Sequence, residues 1–391
     1  MHNKICILGR QPELSLAELE SILGPANMQP VNDQVVIVND SLDLLVQDNL
    51  GGTVKIAKLV KELSTTDVVN IADELKDWVG AYASSLEEGK FNFGISCYGL
   101  ALSSHRLQAL GLDLKKYIRP IYPSVRLVTA TKGIELSSAQ IIHNDLTKGH
   151  NRELVVVGGK EKTFLGWTVA VQDIESYSTR DFGRPRRDMV VGMLPPKLAQ
   201  IMLNLAEAGQ GSLVLDPFCG TGVVLMEASL RDSTLQGSDL NPKMIEYTKA
   251  NLEWLSSHGG DINTSAKLAT ADAKTHTWKQ PVGHVVTEVY LGPPLANTPD
   301  RAKLDKIVED CNGLLREFLV NLLPQLTEGV RCTIAVPAWK TQQDFRHLPL
   351  IDHLGEIGYN QHSFSYADNR GLLYFRNDQV VARELLVISR K

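Results

Sequence analysis

The second half of the chain alternates short apolar runs with longer amphipathic stretches. The apolar runs predict strands, and the stretches whose apolar residues recur every three or four positions predict helices. The predicted strands are residues 213–218, 234–240, 266–271, 284–288, 331–337, 363–367 and 384–389. The predicted helices are residues 195–207, 222–231, 242–257, 300–323 and 344–357. This repeat is typical of a doubly wound parallel sheet, and a turn at residues 377–378 predicts that an antiparallel hairpin closes it.

The first half of the chain mixes strands and helices in a less regular order. Residues 1–50 predict a small α/β piece, in which Ser15 and Glu18 form a capping box that opens a helix. Residues 51–170 predict an α+β region. We therefore expect four parts: residues 1–50, 51–170, a linker at 171–192 and an α/β domain at 193–391. The full sheet of the last part predicts that residues 190–391 fold independently.

Composition limits the class of protein. The 391 residues are enough for two or three domains, and the apolar fraction of 43% excludes a disordered chain. A net charge of −5 excludes a globally basic nucleic-acid binder but allows a local basic patch. The five cysteines have no CxxC spacing, which argues against a disulfide framework and a structural zinc site. Without a long apolar run or a signal-peptide core, we expect no membrane span and a cytoplasmic protein.

The clearest chemical motif runs from Asp216 to Gly222, with the sequence Asp-Pro-Phe-Cys-Gly-Thr-Gly. It follows a predicted strand and precedes a predicted helix. Glycines at such a turn let a ligand approach the backbone. A phosphate loop is excluded because no Gly-Lys-Ser/Thr follows. The carboxylate of Asp216 indicates a ligand that carries an amine or another cation.

Acidic residues also end the next two predicted strands. Asp239 is expected to accept hydrogen bonds from ribose hydroxyls, and Asp272 from an adenine amino group. Three carboxylates beside one glycine loop favour S-adenosylmethionine over NAD. The predicted cofactor-binding residues are Asp216, Pro217, Phe218, Cys219, Gly220, Thr221, Gly222, Asp239, Leu240, Asp272 and Ala273. For Asn241, a helix cap is the favoured role.

The motif at 216–222 resembles the first motif of the class I RNA amino-methyltransferases. With residues 180–188 and 192–199, the chain resembles the THUMP-domain tRNA guanine-N2-methyltransferases that act on guanosine 10. This resemblance implies a ferredoxin-like piece at 1–50, an RNA-binding THUMP domain at 51–170 and a Rossmann-like class I methyltransferase domain at 193–391. It implies S-adenosylmethionine as methyl donor and tRNA as partner, and it leaves open the need for a small activator subunit.

The resemblance also implies the catalytic residues. The family carries Asp-Pro-Pro-Tyr/Phe after the fourth strand, whereas this chain has Glu288-Val289-Tyr290. Glu288 would accept a hydrogen bond from the guanine amine, and Tyr290 would stack on the flipped base. The departure leaves a second interpretation open, a catalytically degenerate RNA-binding protein that keeps the fold. A DNA or protein amino-methyltransferase is less favoured because of the long first half.

Clustered basic residues are the remaining candidates. Arg180, Arg184, Arg186 and Arg187 outnumber the neighbouring acidic Asp181 and Asp188. Clustered arginines can bind phosphates, so we expect an RNA contact here, with a solvated linker as the alternative. Lys132 follows a predicted strand and is an RNA contact or a solvated turn. The ten histidines include no HxxxH pair, so no catalytic metal is expected.

Overall fold

The computed structural model describes residues 3–40, 43–188, 193–258, 262–295, 297–342 and 344–391. Its chain forms two compact units. Unit 1 contains Met1–Pro12 and Leu23–Ile174, and unit 2 contains Glu13–Ile22 and Glu175–Lys391. Helix α1, Pro12–Leu23, therefore belongs almost entirely to unit 2, although the residues on either side of it belong to unit 1.

Unit 1 is built on an eight-stranded sheet. Its strands are β1 (Asn3–Leu8), β2 (Met28–Asn32), β3 (Val35–Asn39), β4 (Thr53–Leu63), β5 (Phe91–Tyr98), β6 (Val125–Val128), β7 (Arg152–Gly158) and β8 (Thr163–Val171). Its helices are α2 (Val68–Ser84), α3 (Ser104–Ile118) and α4 (Ser138–His143). The strand order is β2-β3-β1-β4-β8-β7-β5-β6, with parallel pairs only where β5 meets β6 and β7. The predicted regions 1–50 and 51–170 thus contribute strands to one sheet.

Local sequence explains the helices of unit 1. Each begins after a residue whose side chain accepts a hydrogen bond from a backbone amide of the first turn: Asp67, Ser103 and Ser137. Inside the sheet, the ammonium group of Lys55 lies 2.8 Å from Glu153, and both side chains are buried. Such a pair is stable only when its other polar atoms are also bonded, and Lys55 Nζ donates further to the Leu136 carbonyl, at 2.6 Å.

Unit 2 alternates strands and helices along the chain. Its strands are β9 (Leu213–Asp216), β10 (Thr234–Asp239), β11 (Ala266–Thr270), β12 (His284–Glu288), β13 (Arg331–Lys340), β14 (Phe345–Arg346), β15 (Tyr359–Gln361), β16 (Leu373–Tyr374) and β17 (Val381–Arg390). Its helices after α1 are α5 (Ile174–Ser178, which begins at the last residue of unit 1), α6 (Pro196–Leu205), α7 (Val223–Ser229), α8 (Pro242–His258) and α9 (Arg301–Leu322). A π-helical turn, Thr179–Gly183, continues α5.

The sheet of unit 2 confirms the predicted doubly wound fold. Its order is β11-β10-β9-β12-β13-β17-β15, with β14 paired to β13 and β16 to β17. Strands β9 to β13 run parallel, and β17 is antiparallel to β13. Strand β16 pairs antiparallel with β17, which confirms the predicted closing hairpin. Helices α1, α6, α7 and α8 pack on one face, where Val286 and Leu385 point, and α9 packs on the other, where Val285 and Leu386 point.

Three local predictions are wrong. Helix α1 begins at Pro12, so Ser15 and Glu18 lie inside it and are buried. Residues 344–357 form β14 and a 3₁₀-helix, Pro349–Ile357. Residues 363–367 form no strand, because the backbone amides of Ser365 and Tyr366 donate to the Glu20 carboxylate of α1, at 2.7 and 3.1 Å. Residues 189–192 of the predicted linker lie outside the described residues.

Candidate functional site

A cleft of about 680 Å³ opens in unit 2 at the carboxyl ends of the parallel strands. This edge is where doubly wound sheets bind ligands, and the volume suits a small molecule. Every predicted cofactor-binding and catalytic residue lines the cleft except Gly222. The other lining residues are Leu194, Val223, Val224, Asn241, Ala271, Lys274, Val289, Leu291, Gly292, Pro293, Pro294 and Leu314. Most of them are apolar or tied to loop geometry, so no sequence pattern identifies them.

The loop between β9 and α7 depends on two glycines. Gly220 has φ +51° and Gly222 has φ +85°, which are left-handed values that favour glycine. A Cβ atom on Gly222 would lie 2.9 Å from the side chain of Thr248. Gly222 is also the N-terminal cap of α7, and its amide donates to the Cys219 carbonyl, at 2.7 Å. The glycines therefore set the path of the loop past the cleft.

Asp239 holds this loop from the end of β10. One of its carboxylate oxygens accepts from the Gly220 amide at 2.9 Å, and the other accepts from the Asn241 amide at 2.8 Å. Burial raises the pKa of Asp239. A carboxylate has about four lone-pair sites, so each oxygen can accept a further bond from a hydroxyl in the cleft. Asn241 accepts from the Lys243 amide at 3.0 Å, as expected for a helix cap.

Asp216 lies at the end of β9 with its side chain buried. Its Oδ1 atom accepts from the Thr287 hydroxyl at 2.6 Å and from the Phe218 amide at 3.2 Å. Burial raises the pKa of Asp216 to about 7, and the nearby charges of Asp239 and Glu288 act in the same direction. A cationic ligand in the cleft would favour the ionised form.

Asp272 lies at the third strand end, after β11. Its carboxylate accepts from the Lys274 amide at 2.9 Å, and its side chain is 38% exposed. The ammonium group of Lys274 binds Glu317 at 3.1 Å. Lys274 Nζ also lies 4.0 Å from Oδ2 of Asp272, which is more open to solvent than Asp216 and lies at the edge of the cleft.

Glu288 ends β12 and forms an ion pair with Arg383 of β17. Nε of Arg383 donates to Oε1 of Glu288, and both side chains are largely buried. Val289 continues the strand, since its amide donates to the Ala335 carbonyl at 3.0 Å. The ring of Tyr290 is about half exposed at the rim. The sequence motif did not identify Arg383, which lies 95 residues from Glu288.

The four arginines of the predicted basic linker have two different roles. Arg180 is buried and binds Glu227, with Nε 2.7 Å from Oε1. Arg184 is buried too, and it donates to the Arg180 carbonyl at 3.2 Å. Both guanidinium groups are enclosed in unit 2, so the expectation that they contact phosphates is corrected.

Arg186 and Arg187 are exposed and lie among aromatic rings. Arg187 lies 5.1 Å from the ring centre of Phe182, which is 60% exposed. Arg186 lies 5.5 Å from the ring centre of Tyr247, and Lys243 lies 5.1 Å from the same ring. We call these five residues the arginine–aromatic patch.

Asn251 connects the arginine–aromatic patch to the glycine loop. Its side chain accepts from the Arg186 amide at 2.9 Å, and donates to the Arg186 and Thr221 carbonyls at 2.8 Å each. The patch is therefore fixed beside the loop.

Lys132 lies in unit 1, outside this site. It is exposed and lines a separate cavity of about 210 Å³ after β6. No group of His, Cys, Asp and Glu side chains in the described ranges is arranged to hold a metal ion. No helix in the described part of the chain has the length and apolar character needed to cross a membrane.

Known methyltransferases are similar to the part of the chain that forms this cleft. The family described as RMKL-like, methyltransferase domain, matches residues 184–307, which include the glycine loop and Glu288. A tRNA (guanine(10)-N2)-dimethyltransferase of Methanothermobacter thermautotrophicus is 34% identical over 146 residues, which are 37% of this chain and 39% of that protein. A probable tRNA (guanine(10)-N2)-dimethyltransferase of Methanothermococcus thermolithotrophicus is 31% identical over 124 residues, 31% of this chain and 74% of that protein.

A solved structure extends the similarity of fold to the whole chain. The crystal structure of TrmN from Thermus thermophilus has a TM-score of 0.53 and 16% identity, and the comparison covers 100% of both chains. The sequence matches are shorter, since this chain spans about two fifths of the length of the first curated relatives.

Proposed function

Because the chain belongs to the tRNA guanine-N2-methyltransferase family, we propose that it transfers a methyl group from S-adenosylmethionine to the exocyclic amine of a guanosine in tRNA. The observation that carries the proposal is the single cleft in which the glycine loop meets the three acidic strand ends and Glu288. The names of the relatives favour guanosine 10 as the target.

The residues of the cleft fit S-adenosylmethionine, which supplies an electrophilic methyl group on a sulfonium. The bare backbone at Gly220 leaves room for a ligand beside the loop. Asp239 would accept from the ribose hydroxyls and Asp272 from the adenine amine. Asp216 would provide negative charge for the cationic part of the ligand. The remaining predicted residues that line the cleft would contact the ligand from the sides: Pro217, Phe218, Cys219, Thr221, Leu240 and Ala273.

Glu288 and Tyr290 would act on the target base. Glu288 would accept a hydrogen bond from the guanine N2 amine, which orients the nitrogen lone pair toward the methyl carbon. The Glu288 carboxylate would also stabilise the positive charge that the nitrogen gains on accepting the methyl group, and it would take up the proton that the nitrogen then releases. Tyr290, exposed at the rim, would stack on the base after it leaves the helical stack.

The arginine–aromatic patch would hold the RNA next to the cleft. It presents three cations and two rings, a combination that binds phosphates and unpaired bases. Residues 1–50, apart from the part of α1 that belongs to unit 2, and residues 51–170 would serve as the ferredoxin-like and THUMP regions and bind another part of the tRNA, with Lys132 as a candidate contact. We also expect the protein to act in the cytoplasm. A need for a small activator subunit would show as methyl transfer that occurs only when cell extract is added.

A methyl-transfer assay tests the proposal. The protein is incubated with unmodified tRNA and S-adenosylmethionine, with and without cell extract, and nucleosides are measured by mass spectrometry. We expect N2-methylguanosine or N2,N2-dimethylguanosine, and almost none from the Asp239→Ala variant. Binding of tRNA and S-adenosylmethionine without methyl transfer under either condition would contradict the proposal and favour the RNA-binding alternative.

A further inference from the structure

Arg383 lies on β17, and its side chain extends across β13 to contact Glu288 at the end of β12. Glu288 pairs with Ala335 of β13, and Arg383 pairs with Pro337 of the same strand. The two side chains therefore lie on the same face of the sheet, diagonally across β13. Only 8% of Arg383 is exposed, so its guanidinium group is fixed by the protein rather than by solvent.

A second contact fixes the guanidinium group. Its Nη2 atom donates to the Met193 carbonyl at 3.4 Å, while its Nε atom donates to Oε1 of Glu288. A guanidinium group is planar, so two bonded nitrogens set its orientation. Oε1 of Glu288 is thereby occupied, and Glu288 also lines the cleft. Oε2 accepts no hydrogen bond from a described residue, so it is the more open acceptor for a ligand.

The length of Glu288 explains why such a contact is needed. Glutamate has one more methylene and one more rotatable bond than the aspartate of the related motif. An unrestrained glutamate would sample several rotamers at the point where the target amine must be oriented. A misplacement of about 1 Å can lower the rate about 100-fold. A buried partner removes most of that freedom.

We propose that Arg383 is a positioning residue: it holds Oε1 of Glu288 so that Oε2 faces the target amine. This inference rests on the proposed methyl transfer. Arg383 does not contact the reacting atoms and acts through Glu288 alone. Its loss should therefore lower kcat and leave the affinities for both substrates nearly unchanged, because the free carboxylate would be misdirected in the transition state.

Two substitutions of Arg383 test the inference in the full-length protein. Arg383→Met keeps much of the side-chain length but removes the guanidinium group. We expect kcat on tRNA to fall about 10- to 100-fold, with KM for tRNA and the Kd of S-adenosylmethionine nearly unchanged. Arg383→Lys, which keeps one charged donor, should recover part of kcat. Arg346→Met removes a partly exposed arginine that pairs with Asp305 and is the matched control.

Melting temperature separates positioning from stability. If Arg383 is purely structural, Arg383→Met lowers the melting temperature, but kcat measured well below that temperature stays at the wild-type value. If Arg383 is a positioning residue, kcat falls at that temperature although the variant is folded. If Arg383→Met does not fold, the kcat of Arg383→Lys decides: wild-type kcat there would overturn the inference.

The same assays distinguish failure of the inference from failure of the proposed function. Wild-type kcat in Arg383→Met, together with methylation of tRNA by the wild type, would overturn the role of Arg383 and leave the proposed function intact. A wild type that methylates no tRNA would overturn both.

Discussion

Separating helix α1 from unit 2 should destabilise the α/β unit severely. Leu14 and Ala17 of α1 are 1% and 0% exposed and belong to the core formed with α6 and α7. Glu18 accepts from the side chain of Asn204 at 2.7 Å, and Glu20 accepts two backbone amides near residue 365. A fragment of residues 175–391 lacks all of these contacts.

The size of the effect follows from the buried groups. Burying a leucine side chain contributes about 1.5–3 kcal/mol. Each hydrogen bond to a charged group contributes about 1.5–3 kcal/mol, and three are lost. The total is about 6–12 kcal/mol, against a typical free energy of unfolding of about 5–15 kcal/mol. The fragment should therefore be largely unfolded or melt at a much lower temperature.

Three proteins test this reasoning by thermal unfolding and calorimetric titration with S-adenosylmethionine. They are the fragment 175–391, the same fragment with residues 11–24 joined by a flexible linker, and that fusion with Leu14→Asp. We expect only the unsubstituted fusion to melt cooperatively and bind. If the bare fragment melts within a few degrees of the fusion, α1 contributes little and residues 175–391 fold independently.

Three further changes test the cleft and the patch. Asp239→Ala should weaken S-adenosylmethionine binding by about 1–3 kcal/mol, or roughly 5- to 150-fold, because the ribose hydroxyls lose their acceptor. An unchanged affinity in calorimetry would contradict the role of Asp239 as that acceptor. The pKa of Asp216 is raised to about 7, so its carboxyl group is protonated below that pH and ionised above it. The affinity for the cationic cofactor should therefore rise as the pH increases from about 6 to 8. A similar rise in the Asp216→Asn variant would refute the role of Asp216. Replacing Arg186 and Arg187 by alanine should lower the slope of log affinity for tRNA against log salt by about one per lost phosphate contact, while Arg346→Ala should leave it unchanged.

The site could be predicted where its chemistry follows from local sequence. The loop after β9 needs glycine at two left-handed positions, and acidic residues at the ends of neighbouring parallel strands must meet at one edge of the sheet. The hydrophobic pattern of each segment likewise predicted most of the strands and helices of unit 2 in their order along the chain, because that pattern is also local. Most of these features involve residues close together in the sequence or follow directly from parallel topology.

Contacts between distant residues could not be predicted in this way. Glu18 has the spacing of a capping box, but it lies within α1 and its side chain accepts a hydrogen bond from Asn204, which is 186 residues away. The clustered arginines look alike in sequence, yet Arg180 is buried because Glu227 of α7 lies opposite it. Arg383 occurs in a strand whose pattern gives no sign of an acidic partner. In each case the missing information is which surface the fold brings opposite the residue.

The placement of α1 has a consequence for synthesis of the protein. Its carboxylate Glu20 binds the backbone of Ser365, which is made 345 residues later. At roughly 5–20 residues per second, that interval is on the order of 20–70 s. The apolar face of α1 stays uncovered until α6 and α7 are made, by which time the chain from Leu23 to Ile174 can complete most of unit 1. Helix α1 thus waits for its partners until most of unit 1 has been made, and its contact with Ser365 forms later still.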